Sequence, residues 1–425
     1  MSSTRDKAGR PIVVVTGMGV VTSLGVGKAE NWKKLTAGES GIRAIKRFST
    51  AGLKTTMAGT VDFIDVEPFC APSLSTRLAE LAVEEAVSQA GMGGKEQFPG
   101  PLFLAVAPIE LEWPQRIELA NASGANGAVS YDDLLRAAGG GFEKFNELFM
   151  FGSVADQIAD KFGTQGSPVS LSTACASGAT AIQLGVEAIR RGEADAALCV
   201  GTDGSVNIES LVRFSLLSAL STSNETPQAA SKPFSKNRDG FVMAEGAGAL
   251  VLESLESAAA RGAKIIGVLA GCGEMADAFH RTRSSPDGKP IIGCIRNALD
   301  DAGIAPDAID YINPHGTGTP ENDKMESKGV MAVFGDRART IPMSSNKSMV
   351  GHTLSAAGAV EAVFSLLTME NGRLPPTINY QMPDPDIPLD VVPNTARDAS
   401  VRYAISNSFG FGGQNVSLVM AREPA

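Results

Sequence analysis

The chain has 425 residues, of which 43% are hydrophobic and 20% charged, a composition typical of a soluble globular protein large enough for two domain-sized cores. Its 37 Lys and Arg against 47 Asp and Glu give a net charge of −10, which argues against a nucleic-acid-binding protein, since these normally carry a basic field. The sequence contains no apolar run close to the roughly 18 residues of a membrane-spanning helix.

The first predicted element is a strand within MSSTRDKAGRPIVVVTGMGVVTSLG. Charges followed by valines resemble a signal peptide, but the valine run breaks at Thr16 and Gly17 and no small-x-small cleavage pattern follows. Five cysteines without close pairing also argue against a secreted disulfide framework. We therefore expect a cytoplasmic protein.

Short apolar or β-branched runs then alternate with longer helical patterns along the chain. This alternation predicts an α/β fold whose strands are buried on both faces. Glycines close nearly every run, which indicates that turns at strand ends shape the site. The predicted strands lie in PIVVVTGMG, PLFLAVAP, ADAALCVGTD, GAGALVLES, KIIGVLAGCG, IDYINPHG and RYAISNSFG.

The stretch around 107–155 interrupts this pattern. It mixes polar loop with helical segments and contains Trp113, one of two tryptophans. We expect an excursion from the core that serves as a cap or as a dimer-interface element.

Two amphipathic helices share one pattern, with small residues at the entry and a glycine at the end. The first follows Cys175 and ends at Gly192, and the second follows His352 and ends at Gly372. Their apolar positions are Ile182, Val186 and Ile189 in the first, and Val360, Val363, Phe364 and Leu367 in the second. We infer two similar halves, 1–258 and 259–425, joined near the helix LESLESAAARGAK, each presenting a functional group at a helix N-terminus.

Cys175 differs from the other four cysteines in its context. It begins a helix, where backbone N–H groups and the helix dipole favour the thiolate over the thiol. The surrounding Ala, Ser and Gly residues leave room for a substrate chain to reach the sulfur. The others have structural contexts: Cys199 and Cys294 match buried positions of a strand and a helix, and Cys70 and Cys272 lie by loops.

The sequence contains only three histidines, His280, His315 and His352. The last two have glycine neighbours and are poorly placed as core residues. For His280 two roles stay open, a pocket-lining residue or a purely structural one, and we favour the structural role. A thiolate with two imidazoles indicates covalent acyl chemistry. A hydrolase would need one histidine as base with an orienting partner, whereas two histidines suit a reaction in which N–H donors hold a developing oxyanion. Metal binding fits poorly, since the histidines lie on different predicted elements without the short spacing of zinc sites.

Several motifs resemble those of the β-ketoacyl-acyl-carrier-protein synthases of the elongating, Cys-His-His type. They occur in the family's order over most of the chain. The resemblance implies a thiolase-like five-layered αβαβα fold, built from two βαβαβαββ halves and normally forming a homodimer. The motifs are VVVTGMGVVTSLG, WKKLTAGESGI, TACASGA around Cys175, ALSTSNETPQAASKPFSKNRDGFVMAEGAGALVLE, DAFHRTRSSPDG, PHGTGTPENDKMES around His315, NKSMVGHTLSAAGA around Lys347 and His352, and SNSFGFGGQN.

The resemblance also implies a reaction, the decarboxylative condensation of malonyl-acyl carrier protein with an acyl chain to give 3-oxoacyl-acyl carrier protein in fatty acid elongation. Cys175 accepts the acyl chain, and His315 and His352 hold the malonyl thioester oxygen while carbon dioxide leaves. The carbanion then attacks the acyl-Cys175 thioester. No metal or cofactor is needed, because the 4'-phosphopantetheine arrives on the carrier protein.

Further residues match positions of known role in the family. The N–H groups of Cys175 and Phe411 form a second oxyanion hole, and Phe411 with Phe409 belongs to the gate between the acyl pocket and the malonyl site. The positions that support the histidines are Lys347, Glu326, Glu361 and Asp323. Thr317 and Thr319 match positions that hydrogen-bond the pantetheine arm.

Related enzymes are separated by single residues. Thiolases have a second cysteine, and initiating synthases have asparagine, where this chain has His352. Chain-length factors lack the cysteine found here at Cys175. Two alternatives remain open, a polyketide-type ketosynthase and a weakly catalytic subunit of a heterodimer.

Three departures from the family pattern bear on substrate and partner. The sequence AVAPIELEWPQ replaces a glycine-rich turn near Ala105, so a chain-length preference cannot be transferred. The expected docking helix holds a single basic residue, Arg77, and Ser218 stands where an arginine is common. Because carrier proteins are acidic, we expect a specialised carrier partner or an unusual docking mode, suited to unusual or very long acyl chains.

Overall fold

The computed structural model describes residues 4–93, 97–124, 129–139 and 142–424. Within these ranges the chain forms thirteen α-helices and fourteen β-strands. The helices are α1 (Lys28–Ala37), α2 (Ala71–Ala90), α3 (Trp113–Ala122), α4 (Tyr131–Ala138), α5 (Glu143–Leu148), α6 (Ser153–Phe162), α7 (Ser177–Arg190), α8 (Ile208–Leu216), α9 (Leu255–Ala260), α10 (Lys289–Ala302), α11 (Pro320–Phe334), α12 (Lys347–Val350) and α13 (Ala357–Asn371). The strands are β1 (Val13–Thr22), β2 (Gly25–Val26), β3 (Arg43–Ala44), β4 (Met57–Ala58), β5 (Leu102–Ala105), β6 (Val169–Leu171), β7 (Ala196–Asp203), β8 (Gly246–Ser254), β9 (Gly267–Ala276), β10 (Tyr311–Asn313), β11 (Arg373–Leu374), β12 (Arg397–Asp398), β13 (Tyr403–Phe409) and β14 (Gln414–Ala421).

One large mixed sheet runs through the described part of the molecule, in the order β10-β13-β14-β9-β1-β8-β7-β5-β6, with β2 beside β1. Its two parts meet at β1 and β9, which pair over only two positions, Val14 with Val268 and Val15 with Gly267. By contrast, β1 pairs with β8 along almost its whole length. The sheet therefore divides at this short seam into an N-terminal and a C-terminal part.

The two parts have the same topology. In the N-terminal part the strands lie in the order third, second, fourth, fifth, first, that is β6-β5-β7-β8-β1. The C-terminal part runs β10-β13-β14-β9, and Met343 bridges Ile312 in parallel at the place of the third strand. The prediction of two similar halves is confirmed. The boundary at 258/259 falls inside α9 and stays a prediction.

Helices and sheets form five layers. The helices α7 and α13 pack between the two sheet parts in a core that takes residues from both halves. On the outside, α2 and α6 cover the N-terminal part, and α10 and α11 cover the C-terminal part. The predicted five-layered αβαβα fold is confirmed.

Glycines and alanines at the start of α7 and α13 allow the two helix backbones to touch. A Cβ added at Gly178 would lie 2.6 Å from the amide nitrogen of Ala359, and one added at Gly358 would lie 2.4 Å from that of Ala179. The small residues after Cys175 therefore serve helix packing. For these residues this corrects the expectation that they make room for a substrate chain, whereas Ser172 and Ala174, on the other side of Cys175, do line a cavity beside it.

All seven predicted strands occur, and their burial explains why the sequence reveals them. Every residue of β1, β7 and β8 is buried, so each reads as a continuous apolar run. The other seven described strands are outside the prediction. Five of them have only two residues each, namely β2, β3, β4, β11 and β12. Of the remaining two, β6 has three residues, and serine and asparagine interrupt β14. Cys272 lies within β9 and not beside a loop, which corrects that expectation.

The excursion contains α3, α4 and α5 and leads into α6, which packs on α2 and so belongs to the core. Residues 125–128 and 140–141 of the predicted excursion lie outside the described residues. Large apolar side chains on it are exposed, namely Trp113, Ile117, Tyr131, Leu135, Met150 and Phe151. Among the described helices, none is both long enough and apolar enough to cross a membrane.

Candidate active site

Cys175 lies in the turn between β6 and α7, just before the N-cap Ala176. Ala174 has a φ of 50°, a left-handed conformation that is unfavourable for a residue with a side chain. The Thr173 N–H donates to the hydroxyl of Ser177 at 2.8 Å, and this bond helps to hold the turn. The turn places the Cys175 side chain inside the protein, with 8% of the residue exposed.

The environment of Cys175 does not favour the thiolate in the unliganded protein. Burial raises the pKa of the Cys175 thiol to about 11, although a backbone hydrogen bond from Phe411 and the charge of Lys347 act in the opposite direction. With a pKa near 11 the residue is mainly a thiol at physiological pH, which differs from the thiolate that the sequence predicts.

His352 is held through its backbone and through one ring nitrogen. Its N–H donates to the carbonyl of Val242 at 2.7 Å, and its carbonyl accepts from Ala244 at 2.9 Å. Because Nδ1 accepts the Leu354 N–H at 3.3 Å, the neutral ring carries its proton on Nε2. Nε2 is buried and has no hydrogen-bond partner among the described residues.

His352 does not lie at the N-terminus of α13, which corrects one expectation. A 3₁₀ turn over Leu354–Ala356 separates it from the helix. The two halves are therefore similar in fold, but the functional residue of the second half lies farther from the start of its helix than Cys175 does in the first half.

His315 lies two residues after the end of β10 and its loop is held by a carboxylate from α11. The two oxygens of Glu326 accept the N–H groups of His315 and Gly316, each at 2.8 Å. Asn407 adds a hydrogen bond to the same carboxylate at 3.3 Å. Burial raises the pKa of Glu326 to about 7, while the N–H donors act in the opposite direction. Glu326 thus fixes the loop that carries His315, as the family resemblance implies.

The fold brings Cys175, His315 and His352 together from distant parts of the chain. The Cys175 sulfur and one ring nitrogen of each histidine all lie within 4.8 Å of one another. The pKa of each histidine is well below its usual value, mainly because of burial and also because of the charge of Lys347. Both rings are therefore neutral at physiological pH.

The remaining supporting residues are buried beside this group. Lys347 forms an ion pair with Glu361, and both are almost fully buried. Burial raises the pKa of Glu361 to about 7, and the Lys347 charge acts in the opposite direction. Asp323 accepts the N–H groups of Phe234 at 2.7 Å and Gly318 at 3.1 Å, which fixes the loop after His315.

Two cavities meet at Cys175. The first, here called the histidine cavity, has a volume of about 460 Å³ and is lined by both catalytic-site histidines together with Thr317, Thr319 and Phe409. The second, the rear cavity, has a volume of about 470 Å³. Its lining comprises Ala71, Pro72, Ser75, Val106, Ala107, Pro108, Ile109, Glu110, Leu111, Glu112, Ser172, Ala174, Cys175, Asp203, Ser205, Asn207, Glu209, Ser210, Arg213, Phe214, Leu217, Leu354, Ser355 and Phe411.

Phe411 and Leu217 line both cavities and so lie at the wall between them. The second predicted gate residue, Phe409, packs edge-on against His315, with ring centroids 6.0 Å apart. The hydroxyl groups of Thr317 and Thr319 form a hydrogen bond of 2.9 Å inside the histidine cavity. The predicted site residues that line one or both cavities are Cys175, His315, Thr317, Thr319, His352, Phe409 and Phe411.

Sequence reasoning missed several polar residues of the two cavities. Arg281, Arg283 and Lys324 line the histidine cavity, and His280 lines it too, which corrects the expectation that His280 is purely structural. Asp203, at the end of β7, is fully buried against the rear cavity. Its position at the end of a strand could have marked Asp203 as a candidate site residue. The local sequence does not indicate which strand ends lie together at the site.

The site also contains the side chains of a possible metal ligand set. A thiol and two imidazoles are groups that zinc accepts, and the fold brings them together although the sequence separates them. The argument from sequence spacing is therefore insufficient. The absence of a metal stays a prediction, tested by elemental analysis of the purified protein.

Two protein-family models together match most of the chain. Residues 10–258 match the family described as "Beta-ketoacyl synthase, N-terminal domain". Residues 266–381 match "Beta-ketoacyl synthase, C-terminal domain".

Full-length relatives include a 3-oxoacyl-[acyl-carrier-protein] synthase 2 from Coxiella burnetii, 38% identical over 96% of this chain and 98% of that protein. The tetracenomycin polyketide synthase ketoacyl synthase alpha subunit from Streptomyces glaucescens is 36% identical over 96% of this chain and 97% of the relative.

Solved structures agree. The AntDE:AntF complex, described as a type II PKS acyl-carrier protein in complex with its ketosynthase bound to the hexaketide, matches with a TM-score of 0.87 and 36% identity over 97% of this chain and 100% of that one. A beta-ketoacyl synthase from Burkholderia phymatum matches with a TM-score of 0.82 and 32% identity, covering 97% and 100% of the two chains. The motifs around Cys175, His315 and His352, their convergence in one site and these likenesses agree: the chain belongs to the β-ketoacyl synthase family.

Proposed function

We propose that the protein condenses malonyl-acyl carrier protein with an acyl chain bound to Cys175, releasing carbon dioxide and forming 3-oxoacyl-acyl carrier protein. The observation that carries this proposal is the approach of the Cys175 sulfur and two neutral histidines within 4.8 Å at the junction of two cavities. The acyl chain occupies the rear cavity, and the malonyl group occupies the histidine cavity.

In the first step the sulfur of Cys175 attacks the thioester of the incoming acyl-carrier protein. The carbon–sulfur bond to the carrier breaks, and the carrier thiol leaves with the proton that Cys175 gives up. The backbone N–H of Phe411, whose interaction with the Cys175 sulfur acts to lower the pKa of the thiol, is placed to meet the acyl oxygen as the sulfur attacks its carbon. With the Cys175 N–H it forms an oxyanion hole for the tetrahedral intermediate.

In the second step the malonyl thioester loses carbon dioxide, and its electrons become an enolate. The oxyanion of this enolate accepts hydrogen bonds from His315 and His352. For His352 the donor is Nε2–H, which is buried and unpartnered in the described structure. The nearby Lys347 charge opposes protonation of either ring, so both act as neutral donors. The enolate carbon then bonds to the acyl carbonyl carbon, the bond from that carbon to the sulfur of Cys175 breaks, and the released thiolate takes up a proton from solvent.

The pantetheine arm enters through the histidine cavity. Thr317 and Thr319 offer hydroxyls there, and Arg281, Arg283 and Lys324 supply positive charge for the phosphate and for an acidic carrier. On α2, by contrast, Arg77 is paired with Glu80 at 2.7 Å. Basic residues of the 277–285 segment and of α11 therefore compensate for the small number of basic residues on α2. In the unusual docking mode expected from the sequence, the carrier protein contacts these residues.

The chain acts as a homodimer. In the described sheet β6 is a terminal strand with β5 as its neighbour, and Val169 is exposed on it. The excursion adds a surface with Trp113 57% exposed and Tyr131 74% exposed. A free strand edge and a large apolar surface favour pairing with a second copy. Native mass spectrometry should give twice the chain mass of 44.1 kDa, and a single-chain mass would contradict the proposal.

We place the enzyme in the cytoplasm and in fatty acid elongation. The five cysteines are free thiols, as expected in a reducing compartment. One observation favours the second candidate, a polyketide-type ketosynthase: the rear cavity has a carboxylate-rich lining, which suits a functionalised chain better than an alkyl chain.

The test is a reconstituted reaction with acyl- and malonyl-carrier protein. Mass spectrometry should find the acyl group on the Cys175 peptide and a 3-oxoacyl chain, two carbons longer, on the carrier protein. If the acyl group appears on another residue, or if no longer chain forms, the proposal is wrong.

A further inference from the structure

The carboxylate of Asp203 connects the two halves of the molecule beside the active site. Asp203 ends β7 in the N-terminal part of the sheet and is fully buried. One oxygen, Oδ1, accepts the N–H and the hydroxyl of Ser205, at 3.0 and 2.5 Å, in the loop that follows β7. The other oxygen, Oδ2, accepts the N–H of Ser355 at 3.1 Å, 152 residues further along the chain.

Ser355 belongs to the 3₁₀ turn Leu354–Ala356, just before α13. Its hydroxyl donates to Asp203 as well as its N–H. The turn also packs against β7, where a Cβ added at Gly201 would lie 3.2 Å from the Cα of Ala356. The N-terminal half therefore holds one face of this turn, and Asp203 supplies the hydrogen bonds.

Leu354, the first residue of the turn, has a strained backbone. Its φ is 46°, a left-handed conformation that persists in a residue with a side chain only where the surrounding structure holds it. In this conformation the Leu354 N–H donates to Nδ1 of His352 at 3.3 Å. Because Nδ1 accepts, the neutral ring keeps its proton on Nε2. The strained residue thus sets the tautomer of the histidine.

Loss of the Asp203 carboxylate would remove the acceptor of the Ser355 N–H, which is buried with its residue 4% exposed. A buried N–H without a partner is unfavourable, so the turn would rearrange to expose or pair it. A rearranged turn no longer holds Leu354 in its strained conformation, and the Leu354 N–H moves away from Nδ1. The imidazole then has both tautomers available, and Nε2 carries the proton in only part of the molecules.

We propose that Asp203 is a positioning residue that keeps the donor proton of His352 on Nε2. It acts through the Ser355 N–H and the strained turn, and it needs no contact with the malonyl group. The inference deepens the proposed function, and its kinetic test rests on that function, because the Nε2 proton matters where an enolate must be held. Its spectroscopic test uses the protein alone.

Asp203 also lies beside the nucleophile, since both line the rear cavity. Its negative charge acts to raise the pKa of the Cys175 thiol. Removal of the carboxylate therefore does not oppose formation of the thiolate, and acyl loading should not slow on that account. A loss that comes from the position of His352 should appear in decarboxylation alone.

The first experiment determines the tautomer of His352 by nitrogen NMR of protein that carries isotope-labelled histidine. The chain has only three histidines, so the spectrum of His352→Ala assigns the signals by difference. Protonated and unprotonated ring nitrogens differ strongly in chemical shift. The wild type should show a protonated Nε2 and an unprotonated Nδ1. Asp203→Ala should give a mixed pattern in which Nδ1 carries the proton in a measurable fraction of the molecules.

The second experiment compares the rate of malonyl decarboxylation with the rate of acyl loading onto Cys175. Asp203→Ala should lower decarboxylation at least about tenfold, a part of the 10²- to 10³-fold that loss of a whole oxyanion donor costs. Loading should stay close to the wild-type rate. Asp203→Leu has a similarly branched side chain without an acceptor and should give the same changes, so it replaces the alanine variant if that variant does not fold.

Asp301→Ala is the matched control for structural damage. It removes another carboxylate that accepts a backbone N–H, that of Cys272 at 2.8 Å, and that pairs with Arg190 at 2.6 Å. Asp301 lines neither the histidine cavity nor the rear cavity. The control should keep the wild-type histidine spectrum and the wild-type ratio of the two rates.

The outcomes distinguish this inference from the proposed function. If the wild type releases no carbon dioxide from malonyl-carrier protein, the proposed function fails, and the histidine spectra still decide the inference. The inference is overturned if His352 keeps its wild-type spectrum in a folded Asp203 variant, or if loading and decarboxylation fall equally. A wild-type spectrum with the His352 proton on Nδ1 would overturn it as well.

Discussion

The rings of His315 and His352 lie with their centroids 5.2 Å apart and their planes at 82° to each other. One ring follows β10 and is fixed by Glu326, and the other bridges the 242–244 segment. Two neutral imidazoles at this separation can donate to a single oxygen atom, which is the requirement for holding an enolate. The geometry explains why one histidine alone would not replace the pair.

Removing one of these donors should separate the two chemical steps. His352→Ala should lower the rate of malonyl decarboxylation by about 10²- to 10³-fold, the usual cost of losing one oxyanion donor. Acyl loading onto Cys175 should change far less, because His352 takes no part in the oxyanion hole for that step. The check is carbon dioxide release beside acyl-enzyme mass, with Glu256→Gln, on the exposed first turn of α9 and outside both cavities, as the control. Equal losses in both steps would contradict the assignment.

The buried thiol predicts an unusual pH dependence of alkylation. Because burial raises the pKa of Cys175 to about 11, the fraction of thiolate increases about tenfold for each pH unit below that value. The rate of iodoacetamide modification, followed on the Cys175 peptide, should therefore rise steadily from pH 6 to about pH 9 without a plateau. A rate that is flat between pH 6 and 8 would instead indicate the helix-activated thiolate that the sequence alone predicts.

Stability should depend on pH through Glu326. The pKa of this residue is raised by burial from 4.5 to about 7 in the folded protein, so its stabilising contribution is complete below about pH 4.5 and is lost as the pH rises to about 7. As the pH rises through this window, the free energy of unfolding of the wild type should fall relative to that of Glu326→Gln by up to about 3 kcal/mol. Denaturant titrations at several pH values measure the difference, and a constant difference would contradict the burial argument.

Contact between the backbones of α7 and α13 predicts a strict limit on side-chain size. A Cβ at Gly358 would lie 2.4 Å from the amide nitrogen of Ala179, so Gly358→Val must push the helices apart. We expect a loss of about 1–3 kcal/mol or more in the free energy of unfolding. Gly139→Ala is the matched control, because its φ is −72° and an added Cβ meets nothing closer than 3.7 Å. Equal stability of the two variants would refute the packing argument.

The sequence predicts the fold well because the strands are buried on both faces. Runs such as the valines of β1 indicate the element without any knowledge of its neighbours. The helix ends are equally local, since Gly372 ends α13 in the left-handed conformation that glycine adopts most easily. In contrast, β14 is missed because serine and asparagine interrupt its apolar pattern, and only its neighbours β9 and β13 establish it as a strand.

The site is less predictable, because its electrostatics depend on residues that are distant in sequence. The low pKa expected for Cys175 follows from its own helix. The burial that instead raises this pKa comes from packing against distant segments such as the Phe411 loop. Likewise, nothing beside Asp203 or Ser355 in the sequence indicates that both line one cavity with the nucleophile. The identity of the reacting residues was accessible from motifs, whereas their protonation states and the chemistry of the rear cavity required the structure.

The decisive measurement removes the sulfur and follows both chemical products. Cys175→Ala is mixed with acyl- and malonyl-carrier protein, and the carrier-bound products are identified by mass spectrometry beside a wild-type reaction. The wild type should form the two-carbon-longer 3-oxoacyl chain, whereas the variant should release carbon dioxide and leave acetyl-carrier protein without any elongated product. Elongation by the variant would show that the sulfur is not the acyl acceptor and would end this account.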